Sequence, residues 1–166
     1  MNSTNIIKKA RAGDKQAFAQ LYITYKDSLF RYAYFKLGNT QDAQDAVSAC
    51  VLEAYSGIAM LKSERAFSAW IFKILYRECC RIITQTAARK PEEALSGQES
   101  AGDTHHLAPE LEEALNILSP EDKDIVLLSV VAGYKTREIA AMLSLNHTTV
   151  RSKLSRALAK MKSFLE

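Results

Sequence analysis

"TREIAAMLSLNHTTVRSKLSRAL", residues Thr136 to Leu158, is the stretch whose reading decides the fold. Apolar residues recur at Ile139, Ala140, Met142 and Leu143, and again at Val150, Leu154, Ala157, Leu158 and, just beyond, Met161. Both spacings belong to one face of a helix. Thr136 is placed to cap the first helix and Asn146 the second, each through a side-chain oxygen. The turn between them is too short for antiparallel packing, so the pair reads as a helix-turn-helix. Ser144 stands where such turns often carry Gly. Winding the second helix at about 100° per residue puts Arg151, Ser152, Ser155, Arg156 and Lys162 opposite its apolar stripe. Basic side chains and helix N-termini hold phosphate, and arginine forks read guanine edges in a major groove. A solvated face on an ordinary helical hairpin carries the same pattern, so the rest of the chain must separate the two.

The 166 residues suffice for one medium domain or two small ones, with ordinary hydrophobic (48%) and charged (25%) content. The net charge of +3 hides an uneven distribution. Residues 1–90 carry 14 Lys/Arg against 7 Asp/Glu, whereas residues 91–110 carry 5 acids and no base. From Lys135 to Lys162 there are 7 bases and a single acid, Glu138. Two basic regions around an acidic connector suit a polyanionic partner. Cys50, Cys79 and Cys80 are odd in number and form no C-x-x-C pair, which points to buried or half-buried thiols in a reducing compartment. The N-terminus has no apolar core of signal-peptide length, and the longest apolar run, Ile125 to Ala132, is too short to span a bilayer. A soluble cytoplasmic protein is expected.

Outside the opening stretch the helix period dominates, and an all-α fold follows. Phe18, Leu21, Tyr22, Tyr25, Leu29, Ala33 and Leu37 mark a long helix closed by Gly38. Asn39 and Asp42 resemble a capping box ahead of a second helix marked by Ala43, Ala46, Val47, Cys50, Val51 and Ala54 and ending near Gly57. Phe67, Trp70, Ile71, Ile74, Leu75, Ile82 and Ile83 mark a third. The segment 91–110 is rich in Pro, Gly, Ser and acid and has no period, so it reads as a flexible acidic linker. Beyond it, Leu111, Ala114, Leu115 and Leu118 begin a short helix, and Ser119, Pro120 and Asp122 supply the start signal of another. That helix, "DIVLLSVVAG", is apolar nearly all round and belongs at the centre of a small domain, with Gly133 ending it. The expected layout is a helical domain over 1–90, a linker over 91–110 and a four-helix unit with the helix-turn-helix over 111–166.

Catalytic constellations are absent from the sequence: there is no G-x-S-x-G, H-E-x-x-H, P-loop or G-x-G-x-x-G. His105 and His106 lie in the linker and His147 in the turn, where no buried base with an orienting carboxylate is expected. No metal site is expected either, since the paired histidines have no further ligand at suitable spacing. Glu121, Asp122 and Asp124 are accounted for by a helix N-terminus. In the third helix Trp70, Phe72 and Tyr76 interleave with Lys73, Arg77 and Arg81, three bases that recur every four residues. Aromatic rings beside a basic groove hold single-stranded nucleic acid; a Trp on the apolar face is equally a core residue, and the pattern leaves both open.

Taken in order, "AFAQLYITYKDSLFRYA", "DAQDAV", "AFSAWIFKI" and "LSPEDKDIVLLSVVAGYKTREIAAMLSLNHTTVRSKLSRALAKM" resemble an extracytoplasmic-function (ECF) sigma factor of bacterial RNA polymerase. The resemblance runs from about Asp14 to the end, excluding the linker. It implies a promoter-specificity factor with no cofactor and no small-molecule substrate, monomeric when free. Its partners would be core RNA polymerase (clamp and flap), promoter DNA and an anti-sigma factor. It places His147, Thr149, Arg151, Ser152, Lys153, Ser155 and Arg156 where the family meets the −35 element. Trp70, Lys73, Arg77 and Arg81 fall on the −10 helix, and Asp45, Ser48, Ala49 and Leu52 on the polymerase-binding helix. Departures are Ser48-Ala49 for the usual Gln-Glu, Arg77 for Asn and Arg81 for Asp. Two rival functions share the pattern: a helix-turn-helix regulator that acts without polymerase, and a sigma-like protein that titrates an anti-sigma factor.

Overall fold

Residues 3–89 and 109–166 are described by a computed structural model, and every regular element among them is helical. The chain divides into two compact units, the division falling between residues 101 and 102. The expected linker lies outside the described residues, except that a helix already begins at Pro109.

The first unit holds α1 (Ser3–Arg11), α2 (Lys15–Leu37), α3 (Thr40–Gly57) and α4 (Phe67–Ala88), with two short 3-10 turns, Ile58–Met60 and Glu64–Ala66, between α3 and α4. Asp14 starts α2, its Oδ1 accepting the N–H groups of Gln16 (3.0 Å) and Ala17 (3.1 Å). Gly38 ends it at φ 82° and donates to the Tyr34 carbonyl at 2.8 Å. An L side chain there costs about 1–2 kcal/mol, hence glycine. Asn39 caps α3 by accepting the Asp42 N–H at 2.8 Å. The expected capping box is only half formed, because the Asp42 carboxylate returns to the Asn39 side-chain amide at 2.8 Å.

Ala43, Ala46, Cys50 and Ala54 form the fully buried inner face of α3. Small residues there let Leu29, Tyr32 and Ala33 of α2 and Leu75 and Cys79 of α4 close over the helix, all five without solvent exposure. The Cys50 thiol donates to the Ile71 carbonyl at 3.5 Å, and burial, with Cys79 nearby, pushes its pKa up to about 12. A thiol so held stays protonated and unreactive. Phe72, whose place the sequence pattern left open, is a core residue with 2% exposure, its ring edge-on to Tyr32 at 6.0 Å. Ile83, assigned to the core face, is 44% exposed, whereas its neighbour Ile82 is buried. The sequence reading did not include α1, which buries Ile7 and Ala10. The Arg11 guanidinium donates to Glu64 at 2.9 Å, tying α1 to the second turn.

The second unit holds α5 (Pro109–Asn116), α6 (Pro120–Val130), α7 (Thr136–Leu143) and α8 (His147–Leu165). Ser119 caps α6 by accepting the Asp122 N–H at 3.1 Å, with Pro120 in the first turn. Ile125, Val126, Leu127 and Leu128 are all at most 3% exposed, so α6 is the centre of this unit. The helix-turn-helix is formed. Asn146 caps α8, as expected, through the Thr148 N–H at 3.4 Å. Thr136 does not cap α7. It is the first helical residue; the Glu138 carboxylate instead accepts the Lys135 N–H at 2.8 Å, and the Thr136 hydroxyl bonds His147 Nε2 at 2.9 Å. Leu158 is also corrected, being 40% exposed while Val150, Ala157 and Met161 are buried.

Ser144 occupies the left-handed region at φ 55°, and it alone does so among the described non-glycine residues. Ser144→Gly should therefore raise the stability of the second unit by about 0.5–1 kcal/mol, less than the full left-handed penalty because glycine has more freedom when unfolded. Thermal denaturation followed by circular dichroism reads this, and a lower melting temperature would show that the turn is not strained.

Candidate nucleic-acid interface

The first turn of α8 contains no acidic residue, and Asn146 closes it without adding charge. Thr148, Arg151, Ser152, Ser155 and Arg156 then line one open groove along the helix, all of them exposed. Val150, Ala157 and Met161 are buried on the other side and hold this face outward. The Arg156 Nε–H donates to the Ser152 carbonyl at 3.3 Å, which lays the guanidinium along the helix. Two arginines flanking small hydroxyl side chains, with no carboxylate in the groove, can hydrogen-bond base edges and phosphates together. Lys160 and Lys162 are exposed farther along the same helix.

Three residues expected on this face are placed otherwise. The His147 ring is half-buried against Thr136 of α7. Thr149 is half-buried beside the apolar stripe. Lys153 turns toward α6, its Nζ 2.7 Å from Glu121 Oε1 and 3.8 Å from Asp122 Oδ1. Its hydrogen bond to the Glu121 carboxylate is the main reason its ammonium is held above the ordinary lysine range. Thr148 was missed, although it lies three and four residues before Arg151 and Ser152 and helical winding alone places it with them.

On α4, Lys73, Arg77 and Arg81 are exposed along one stripe. Two have acidic neighbours: Arg77 lies 3.5 Å from Glu53 of α3, and Arg81 lies 2.8 Å from Glu78. Exposed pairs of this kind are worth only about 0–1 kcal/mol, so a phosphate can displace them. Trp70 is half-buried, its ring tilted against Phe67 at 5.9 Å and one edge close to Gly57. It is both a core aromatic and an accessible one. Tyr76, also half-buried, lies under the Lys36 ammonium at 4.9 Å.

On α3, Asp45, Ser48 and Leu52 share an exposed face, and Ala49 is half-buried beside them. Asp45 accepts the Gln41 side-chain amide at 3.2 Å. Leu52 is 70% exposed and Tyr55, one turn on, 47%. Apolar groups this open, next to a carboxylate, suit a protein partner better than water. Among the described residues no group of His, Cys, Asp and Glu is arranged to hold a metal ion, and no helix is long and apolar enough to cross a membrane. His105 and His106 lie outside the described residues.

Residues 21–89 match the family Sigma-70 region 2, and residues 109–161 match Sigma-70, region 4. The chain is 28% identical over 157 residues to the ECF RNA polymerase sigma factor SigM of Mycobacterium tuberculosis, covering 93% of this chain and 80% of that protein. It is 27% identical to the RNA polymerase sigma factor SigV of Bacillus subtilis, covering 89% and 93%. Among solved structures, CnrH in complex with the cytosolic domain of CnrY shares the fold at a TM-score of 0.70 and 21% identity, over 98% of this chain and 96% of that one. The Bartonella quintana sigma factor RpoE, solved with the anti-sigma factor NepR, gives a TM-score of 0.68 at 20% identity, over 89% and 96%.

Proposed function

The chain belongs to the ECF subfamily of the sigma-70 factors, and on that premise we propose a division of labour between its two units. It is an RNA polymerase sigma factor, one of a class of transcription initiation factors that are not known enzymes. The first unit, residues 1–90, binds the clamp of core polymerase through Asp45, Ser48, Ala49 and Leu52. It holds the opened −10 element along Trp70, Lys73, Arg77 and Arg81. The second, residues 111–166, docks on the flap and reads the −35 element with α8. An anti-sigma factor is the remaining partner, and the site of action is the cytoplasm.

The observation that carries this reading is the acid-free groove of Thr148, Arg151, Ser152, Ser155 and Arg156 on the outer face of α8. Replacing Arg151 or Arg156 by Ala should cost about 1–3 kcal/mol on the preferred −35 sequence and relax preference at particular positions. Lys162→Ala should weaken all sequences alike and make the salt dependence shallower by about 0.9 per lost phosphate contact. Binding of reconstituted holoenzyme to upstream elements selected from a randomised pool measures both. Equal losses on selected and scrambled elements for the arginine variants would remove base reading from this face.

A further inference from the structure

We propose that Lys153 is a positioning residue of the recognition helix: its ammonium is anchored to Glu121 and Asp122 at the start of α6 and sets the roll of α8, without itself touching DNA. This rests on the reading that the outer face of α8 meets promoter DNA. Pattern alone groups Lys153 with the bases around it, since it stands between Ser152 and Arg156 in the opening turns of that helix.

Geometry separates it from them. Arg151, Ser152, Ser155 and Arg156 line the outer groove, and Lys153 does not. It belongs to a second groove, between α6 and α8, with Asp122, Arg156, Ala157 and Lys160. Its Nζ reaches Glu121 Oε1 at 2.7 Å, a charge-assisted hydrogen-bond length. The Oδ1 of Asp122 is shielded from solvent and accepts no hydrogen bond, and the same ammonium, 3.8 Å away, is the counter-charge it faces. Two carboxylates on the helix that carries the core of the unit therefore hold one side chain of the helix that reads DNA. At the N-terminal end of α8, the bond between His147 and Thr136 fastens it to α7 in the same way. A helix fixed along only its apolar stripe can still roll by several degrees; these polar contacts lie to the side of that stripe and resist rolling. Roll decides whether Arg151 and Arg156 meet base edges or backbone, because a bidentate fork tolerates little misalignment.

The test uses the full chain reconstituted with core RNA polymerase, on duplex DNA whose upstream element was selected from a randomised pool by the wild-type holoenzyme. Lys153→Met keeps the aliphatic stem and removes the charge. Preference for the selected over a scrambled element should fall about two- to fivefold, the range expected for loss of a partly exposed ion pair. The slope of log affinity against log salt should stay at the wild-type value. The exchanged pair Lys153→Glu with Glu121→Lys should regain most of the preference, whereas Lys153→Glu alone should not. A slope shallower by about 0.9, with selected and scrambled elements weakened alike, would make Lys153 a direct phosphate contact and overturn the proposal. So would an unchanged preference, or an exchanged pair no better than the single variant. Arg151→Ala run alongside keeps the premise separate: if it leaves preference intact, the reading of α8 fails, whatever Lys153 does.

Discussion

Leu128→Ala should remove a large part of the second unit's stability while leaving that of the first unchanged. Leu128 has no solvent exposure and sits on α6, whose Ile125, Val126, Leu127 and Leu128 are all buried and which packs against α8 and α7. Removing a buried leucine side chain costs about 2–5 kcal/mol, because the lost transfer energy is joined by a cavity that neighbours fill only in part. A unit of the size of residues 109–166 carries only about 3–9 kcal/mol of total stability at ordinary values per residue. The substitution removes a large part of that, and the melting transition of the unit should fall by roughly 10–30 °C. The transition of residues 3–89 should not move, since its core is enclosed by α1 to α4. Differential scanning calorimetry of the full chain separates the two outcomes. One transition, shifted as a whole, would mean that the units fold together.

How much of this was readable beforehand varies from residue to residue, for physical reasons. The start of α6 was legible because Ser119, Pro120 and Asp122 act locally, and α8 because Asn146 and its apolar period agree. Helix α1 was not, since nine residues rich in Lys and Arg bury only Ile7 and Ala10, and two apolar contacts set no period. Phe72 could not be assigned to core or surface from the sequence because α4 packs against both α2 and α3. Its buried face, Ile71, Phe72, Ile74, Leu75, Cys79 and Ile82, is wider than the single stripe that periodicity assumes. Thr136 was misread as a cap because a distant histidine competes for its hydroxyl. Lys153 was grouped with the bases of the outer groove because its partners Glu121 and Asp122 lie some thirty positions earlier, outside any window in which winding is considered. Residues whose role is fixed by their own helix were legible, and those fixed by another were not.

The full chain alone should bind promoter DNA at least a hundredfold more weakly than the holoenzyme does, and it should run as a monomer. The expectation follows from how the proposed contacts are divided. The reading face of α8 and the stripe on α4 belong to different units, and nineteen residues, 90–108, lie between the described ends. Nineteen residues of any chain reach at most about 65 Å when fully extended. Each unit also offers few contacts: two arginines and three hydroxyl side chains line the groove on α8, and two of the three bases on α4 have acidic neighbours. Holding both units on polymerase at the promoter's spacing makes the second encounter intramolecular, an effect worth about 10²- to 10⁴-fold without any new contact. A helix-turn-helix regulator behaves in the opposite way, binding tightly by itself as a dimer on paired half-sites. Gel filtration of the chain with and without core enzyme, followed by DNA binding and run-off transcription, distinguishes the two. Tight dimeric binding by the chain alone, with no co-elution, would defeat the division of labour proposed here. Co-elution without run-off product from any selected promoter would instead leave a protein that occupies polymerase or an anti-sigma factor, and would point to the −10 helix, where Arg77 and Arg81 depart from the family pattern.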